Sequence, residues 1–80
     1  MDKTKLAIKI KVDSRIDERG EKIPRRLHIE GEPADIVEVV DRWLANGRVC
    51  FKVLDDEGGM YIVRYDPEAR VWELVMMEQG

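Results

Sequence analysis

The last third of the chain constrains the fold most, because three strand-like runs are separated there by two turn signals. The runs cover residues 49–54, 60–65 and 71–76. The first connection, Asp55–Gly59, ends in two glycines that can adopt the left-handed conformations of a five-residue hairpin loop. The second begins at Asp66-Pro67, where the fixed φ of proline suits the second position of a turn. Such short connections join antiparallel strands, so the sequence predicts a three-stranded meander.

The first third predicts two further strands. Residues 6–12 alternate strictly, with apolar side chains on one face and lysines on the other, as in a half-buried strand. A polar turn is expected at 17–21, and alternation resumes over 26–30 before Gly31–Pro33 closes that strand. Pro24 is expected to lie outside any central strand, because proline has no N–H to donate to a ladder.

Segment 36–46 allows two interpretations. On a helical wheel its apolar residues fall within one arc of about 160°, Asp35 and Glu38 resemble a capping box, and Gly47 suits the position after a helix. Four β-branched residues between positions 36 and 40 disfavour a helix. A bulged strand would also accommodate the broken alternation. The residues alone favour the short helix, with the bulged strand as the alternative.

Five short motifs carry a resemblance to a known group of domains. They are Val37–Trp43, Phe51–Val53, Asp56–Gly58, Tyr61–Tyr65 and Trp72–Leu74. Over residues 34–75 the chain resembles a family of small bacterial domains of unknown function, although Val49-Cys50 and the doubled glycine depart from its pattern. The resemblance implies a mostly antiparallel β domain in which the Asp-Arg-Trp segment is extended. It also implies no catalytic residues, and it suggests a link to DNA damage tolerance, since related domains occur beside polymerase components of that process.

Together these features predict a single small β domain over residues 1–80, with residues 1–4 and 78–80 frayed. We expect a mainly β fold, either a small antiparallel meander or an SH3-like open barrel of five to six strands, with a short helix at 36–46 as the alternative to a strand there. An 80-residue chain builds only a small core. With five aromatic residues in the whole chain, Trp43, Phe51 and Trp72 are all expected in that core.

Residues suited to catalysis occur as single copies. The chain has one cysteine, Cys50, one histidine, His28, one serine, Ser14, and one threonine, Thr4. A nucleophile needs a base beside it, and one histidine and one cysteine do not complete a zinc site. The acidic loop 55–57 lacks the ligand spacing of an EF-hand. We therefore predict no enzyme activity, catalytic residue, cofactor or metal.

Charge and aromatic residues point to a binding surface. Residues 1–28 carry nine Lys or Arg against five Asp or Glu, whereas the net charge of the whole chain is −3. The pI of about 5.1 is unlike that of a dedicated nucleic-acid binder. The candidate partner-binding residues are Arg42, Trp43, Lys52, Tyr61, Arg64 and Tyr65. We expect a protein partner, bound through an edge strand or this aromatic–basic face, with single-stranded nucleic acid as the alternative.

The remaining expectations concern location and assembly. One cysteine excludes an intramolecular disulfide and suits a reducing cytoplasm. No run of about 18 apolar residues occurs, so no membrane association is expected. The chain is expected to be a monomer or a weak dimer.

Overall fold

The computed structural model describes residues 4–78, which form six strands. The strands are β1 (Thr4–Ile16), β2 (Lys22–Ile29), β3 (Glu32–Ala45), β4 (Arg48–Asp55), β5 (Met60–Asp66) and β6 (Val71–Glu78). Each strand pairs antiparallel with the next, and β1 pairs with β6, so the sheet closes into a barrel. The prediction of a small antiparallel β domain is confirmed. Within residues 4–78, no helix is long and apolar enough to cross a membrane.

Two of the hairpins have two-residue turns that require left-handed backbone. Glu30 and Gly31 have φ values of 53° and 82°, and Asn46 and Gly47 have 53° and 76°. Positive φ at both positions is the type I′ geometry, whose twist matches that of paired strands. Glu30-Gly31 is therefore the turn itself. The expectation that Gly31–Pro33 closes a strand is wrong, because the chain re-enters the sheet at Glu32, which pairs with Ile29.

Segment 36–46 is extended, so the helical alternative is wrong. Residues 36–45 pair with β4, and the register shifts twice, between Ile36 and Glu38 and between Val39 and Asp41. Each shift leaves one extra residue, Val37 or Val40, on the β3 side. Two bulges in succession bring apolar residues to a spacing that imitates a helix, and the bulged strand considered from the sequence is confirmed.

Pro24 lies within β2, at a position where the described pairing of that strand is with β1 alone. It is fully buried and opposes Ser14 next to a register shift in β1–β2. On its other side the described pairing of β2 with β3 covers only 26–29. A bulge and an unpaired edge are the two places where a strand tolerates the missing N–H.

The core fills the interior of the barrel. It consists of Leu27, Ile36, Phe51, Val53, Tyr61, Val63, Trp72 and Leu74. The Trp72 ring packs 5.7 Å from that of Phe51 and 4.9 Å from that of Tyr65, measured between centroids. Phe51 and Trp72 are core residues as expected. Trp43 is not, because it pairs with Cys50 on the outer face of β4 and remains half-buried.

The strand ends reach two residues for which fraying was expected. Thr4 pairs with Met77, and Glu78 pairs with Met60. The same expectation for 1–3 and 79–80 falls outside the described residues.

Candidate functional site: the seam between β2 and β3

Among the described residues, the boundary between β2 and β3 has the shortest ladder of the barrel. Strands β2 and β3 pair only through Arg26–Ile29 and Glu32–Asp35. Beyond that point Lys22–Pro24 pairs with β1 alone and residues 36–45 pair with β4 alone, as far as the described residues show. We call the gap between these two unpaired edges the seam. Two strand edges with free backbone groups therefore adjoin the same opening.

The β3 edge of the seam carries exposed apolar side chains. Val39 opposes Val53, and Leu44 opposes Val49. Because Val53 and Val49 point into the barrel, Val39 and Leu44 lie on the inward face of the sheet. They are nevertheless 38% and 67% exposed, because no strand covers this face beyond the last β2–β3 pair. The bulge residue Val37 is 64% exposed. The seam is thus lined by apolar surface that the fold does not bury.

The backbone of β3 also has free groups at the seam. A two-residue turn makes Ala45 and Arg48 a hydrogen-bonded pair, and bonded pairs then alternate along an antiparallel ladder. The amide and carbonyl groups of Arg42 and Leu44 consequently point away from β4. The N–H of Arg42 donates to Oδ1 of Asp41 at 2.8 Å, so one of these groups is capped locally.

An ion pair spans the seam. The Arg42 guanidinium donates from Nη2 to Oε2 of Glu21, in the turn between β1 and β2. The two side chains are 36% and 35% exposed, so water screens the pair only in part. In this stretch the two edges are joined through side chains, where backbone pairing has stopped.

A cavity opens at the turn end of the seam. Its volume is about 220 Å³, and it is lined by Gly20, Glu21, Lys22, Val49, Phe51, Tyr65 and Pro67. The inward faces of β4 and β5 supply its apolar wall. Lys22 contributes a charge at the opposite side, with Nζ 5.2 Å from the centre of the Tyr65 ring, a favourable cation–π geometry. The cavity suits one bulky apolar side chain beside a rim that carries both the Lys22 ammonium and the Glu21 carboxylate.

Three of the sequence-predicted binding residues lie on the outer face of the barrel. Trp43 and Arg64 oppose Cys50 from either side, and Lys52 is the next outward residue of β4. Arg64 Nε donates to Oε1 of Glu73 at 2.6 Å. Burial raises the pKa of the Cys50 thiol, although Arg64 and Arg48 oppose this effect. The thiol is buried beneath its strand neighbours.

Tyr61 belongs to a buried polar network with Asp55. Its hydroxyl donates to Oδ2 of Asp55 at 2.6 Å, and Oδ1 accepts the amides of Gly59 and Glu57 at 2.7 Å and 2.8 Å. Burial tends to raise the pKa of Asp55, but these hydrogen bonds outweigh it and the pKa lies below its usual value. Burial and the Asp55 carboxylate raise the pKa of Tyr61. A β-carbon at Gly59 would lie 2.9 Å from Asp55 Oδ2, so glycine is needed there.

The six candidate residues therefore occupy three places and form no single row. Arg42 and Tyr65 lie at the seam, Trp43, Lys52 and Arg64 lie on the outer face, and Tyr61 lies in the core.

The sequence analysis did not identify Glu21, Val39 and Leu44 as residues of the seam. The broken alternation of segment 36–46 could have indicated Val39 and Leu44, because it is typical of a bulged strand and bulges concentrate at sheet edges.

Comparison of the chain with protein-family models, curated proteins and solved structures gave no significant match. The family resemblance of residues 34–75 stays a prediction. Among the described residues, no group of three or more His, Cys, Asp or Glu side chains is arranged to hold a metal ion.

Proposed function

We propose that this protein is a non-catalytic interaction module that binds an extended segment of a partner protein along the β3 edge of the seam. The observation that carries the proposal is the edge of β3 over residues 36–44 that faces away from β4, which has no described strand partner and carries exposed apolar side chains. A peptide that adds a strand there would gain main-chain hydrogen bonds and side-chain burial together. Exposed apolar edges of this kind otherwise promote aggregation.

The exposed apolar residues support the proposal because a chain this small leaves them outside its core. A domain of 80 residues has a small core, and each fully buried Leu or Val would add about 1.5–3 kcal/mol to its stability. Leu44 and Val37 are nevertheless about two-thirds exposed. Residues that contribute so little to the isolated fold are available to bury surface of a partner.

Single-stranded nucleic acid, the alternative partner, receives less support from the side chains. Binding a single strand relies on exposed rings for base stacking and on free cations for the backbone. Tyr61 is buried against Asp55, and Tyr65 packs on Trp72. Arg64 pairs with Glu73. The cytoplasm remains the proposed location, because Cys50 is a free, buried thiol.

Two variants of one residue test strand addition. Leu44→Pro removes an N–H that points away from β4, so the barrel keeps its own hydrogen bonds while a partner strand loses one. Leu44→Ala removes the side chain and keeps the N–H. Each variant and the unmodified protein would be immobilised and exposed to native lysate, and captured proteins identified by mass spectrometry.

The proposal requires a protein that the unmodified chain captures, that Leu44→Ala captures to a smaller extent because one apolar contact is lost, and that Leu44→Pro loses. The purified partner should then slow amide hydrogen exchange at Leu44. Far-ultraviolet circular dichroism and thermal unfolding would establish that both variants fold. Recovery of no protein above background, or equal capture by folded Leu44→Pro, would reject strand addition at this edge.

A further inference from the structure

We infer that the segment bound at the seam is acidic as well as apolar, with a carboxylate and a bulky apolar side chain two residues apart. This inference rests on the proposed function and specifies its ligand. It follows from the charges and the cavity along the seam.

The carboxylate follows from the Arg42–Glu21 ion pair. A strand that pairs with β3 must enter the gap that this ion pair spans. The Arg42 guanidinium then loses Glu21, and leaving a charged group without a partner in an interface is costly. A carboxylate on the incoming strand, opposite Arg42 and on the same face, replaces the lost partner. Lys22 on the other edge adds a second positive charge to the same opening and lies next to the displaced Glu21, whose carboxylate it can balance.

The apolar residue follows from the position of Leu44. Arg42 opposes Phe51 and Leu44 opposes Val49, so the two side chains share a face. Phe51 and Val49 both line the cavity. Side chains two residues apart on a strand share a face, so a partner strand with its carboxylate opposite Arg42 presents its second neighbour to Leu44 and the cavity mouth. A cavity of about 220 Å³ accommodates a Leu or Phe side chain there.

Synthetic peptides test this pattern directly. The probe is a capped, fluorescently labelled peptide, Thr-Leu-Thr-Glu-Thr-Leu-Thr, which presents the same spacing in either strand direction. Two matched peptides replace its Glu with Lys or both its Leu residues with Ser. Binding would be measured by fluorescence anisotropy at low salt, to the unmodified protein and to the Arg42→Gln, Glu21→Gln and Leu44→Pro variants.

We expect the Glu peptide to bind at least about tenfold more tightly than the Lys peptide, as charge complementarity requires. Removal of both Leu side chains should weaken binding by about tenfold or more. Arg42→Gln should abolish the preference for Glu over Lys. Glu21→Gln, which removes the internal competitor for Arg42, should tighten binding of the Glu peptide severalfold.

The outcomes separate this inference from the proposed function. If the unmodified protein bound all three peptides with equal affinity and Leu44→Pro bound none of them, the acidic–apolar pattern would be overturned. Strand addition at this edge would still be supported. Binding of none of them at about 1 mM would also overturn the pattern, and the lysate experiment would still decide strand addition. Sedimentation could instead show that the unmodified protein forms a dimer and that Leu44→Pro does not. That result would assign the edge to a second copy of the chain and reject binding of a partner peptide. Tighter binding of an oligothymidylate of similar length would reject it as well.

Discussion

Arg42 of β3 and Glu21 of the β1–β2 turn form an ion pair across the boundary that has the shortest backbone ladder among the described strands. The contact joins two elements that the fold leaves separate, so its strength sets how readily the seam opens. Its partial exposure keeps it weak.

The first prediction concerns the opening of the seam. Glu21→Gln should lower the free energy of unfolding by no more than about 0.5 kcal/mol, because partly exposed ion pairs contribute little. It should increase hydrogen exchange locally in the 17–21 turn. Urea denaturation and exchange mass spectrometry measure the two effects.

Glu18→Gln serves as the matched control, because Glu18 lies in the same turn and is exposed. An equal increase in exchange for the control would show that the ion pair does not hold the turn. A loss of global stability well above 1 kcal/mol for Glu21→Gln would contradict the assignment of a weak contact.

A second prediction compares two leucines. Leu27 has no exposed surface, whereas Leu44 is 67% exposed. Leu27→Ala should cost about 2–5 kcal/mol through lost burial and the cavity it leaves, enough to unfold much of a domain this small. Leu44→Ala should cost less than about 0.5 kcal/mol. Chemical denaturation of both variants checks the pair, and a large cost for Leu44→Ala would mean that the fold itself depends on the seam surface.

A third prediction concerns acid. The pKa of Asp55 is lower in the folded protein than its usual value, because the hydrogen bonds from Tyr61, Glu57 and Gly59 outweigh its burial. Its ionised form therefore stabilises the fold fully above the unfolded-state pKa of about 3.9. That contribution is lost as the pH falls through the lower pKa of the folded state. The urea concentration at the unfolding midpoint should decrease when the pH falls below about 4. Asp55→Asn should reduce this pH dependence and lower the stability at neutral pH.

Asp56→Asn is the control, because Asp56 is an exposed neighbour on the same loop. It should leave the acid dependence close to that of the unmodified protein. A steep acid transition that Asp55→Asn does not alter would place the responsible carboxylate elsewhere.

A fourth prediction concerns the turn at Glu30-Gly31. Glu30 adopts a φ of 53°, which most residues with side chains disfavour and asparagine tolerates. Glu30→Asn should therefore raise the free energy of unfolding by about 0.5–1 kcal/mol. The turn at Asn46-Gly47 already has this sequence, so Asn46→Glu should have the opposite effect. Thermal unfolding of the two variants would contradict the argument if both moved the midpoint in the same direction.

The sequence predicts the C-terminal half of the barrel well because its signals are local. The signals are the alternation at 49–54 and 60–65 and the loop between them, which all depend on residues close together in the chain. The structure contains both predicted strands, as β4 and β5. Segment 36–46 depends on tertiary context. Its bulges change the period, and exposure of its inward face removes the need for strict alternation.

The site was less predictable than the fold for the same reason. The motif around Arg42 is visible in the sequence, but its partner Glu21 lies in another hairpin and is one of seventeen acidic residues. Trp43 looked like core because large apolar residues usually are. Its outward direction follows from the register with Cys50, which a bulge three residues earlier determines.

The pairing of β1 with β6 has a consequence for the order of folding. Every other interface in the barrel joins consecutive strands, whereas this one brings Ile10 to Trp72. Its loop-closure entropy is the largest in the molecule, and contacts of that sequence separation slow folding. We expect hairpins to assemble first and this pairing last, so that the final step of folding converts an open meander into a barrel.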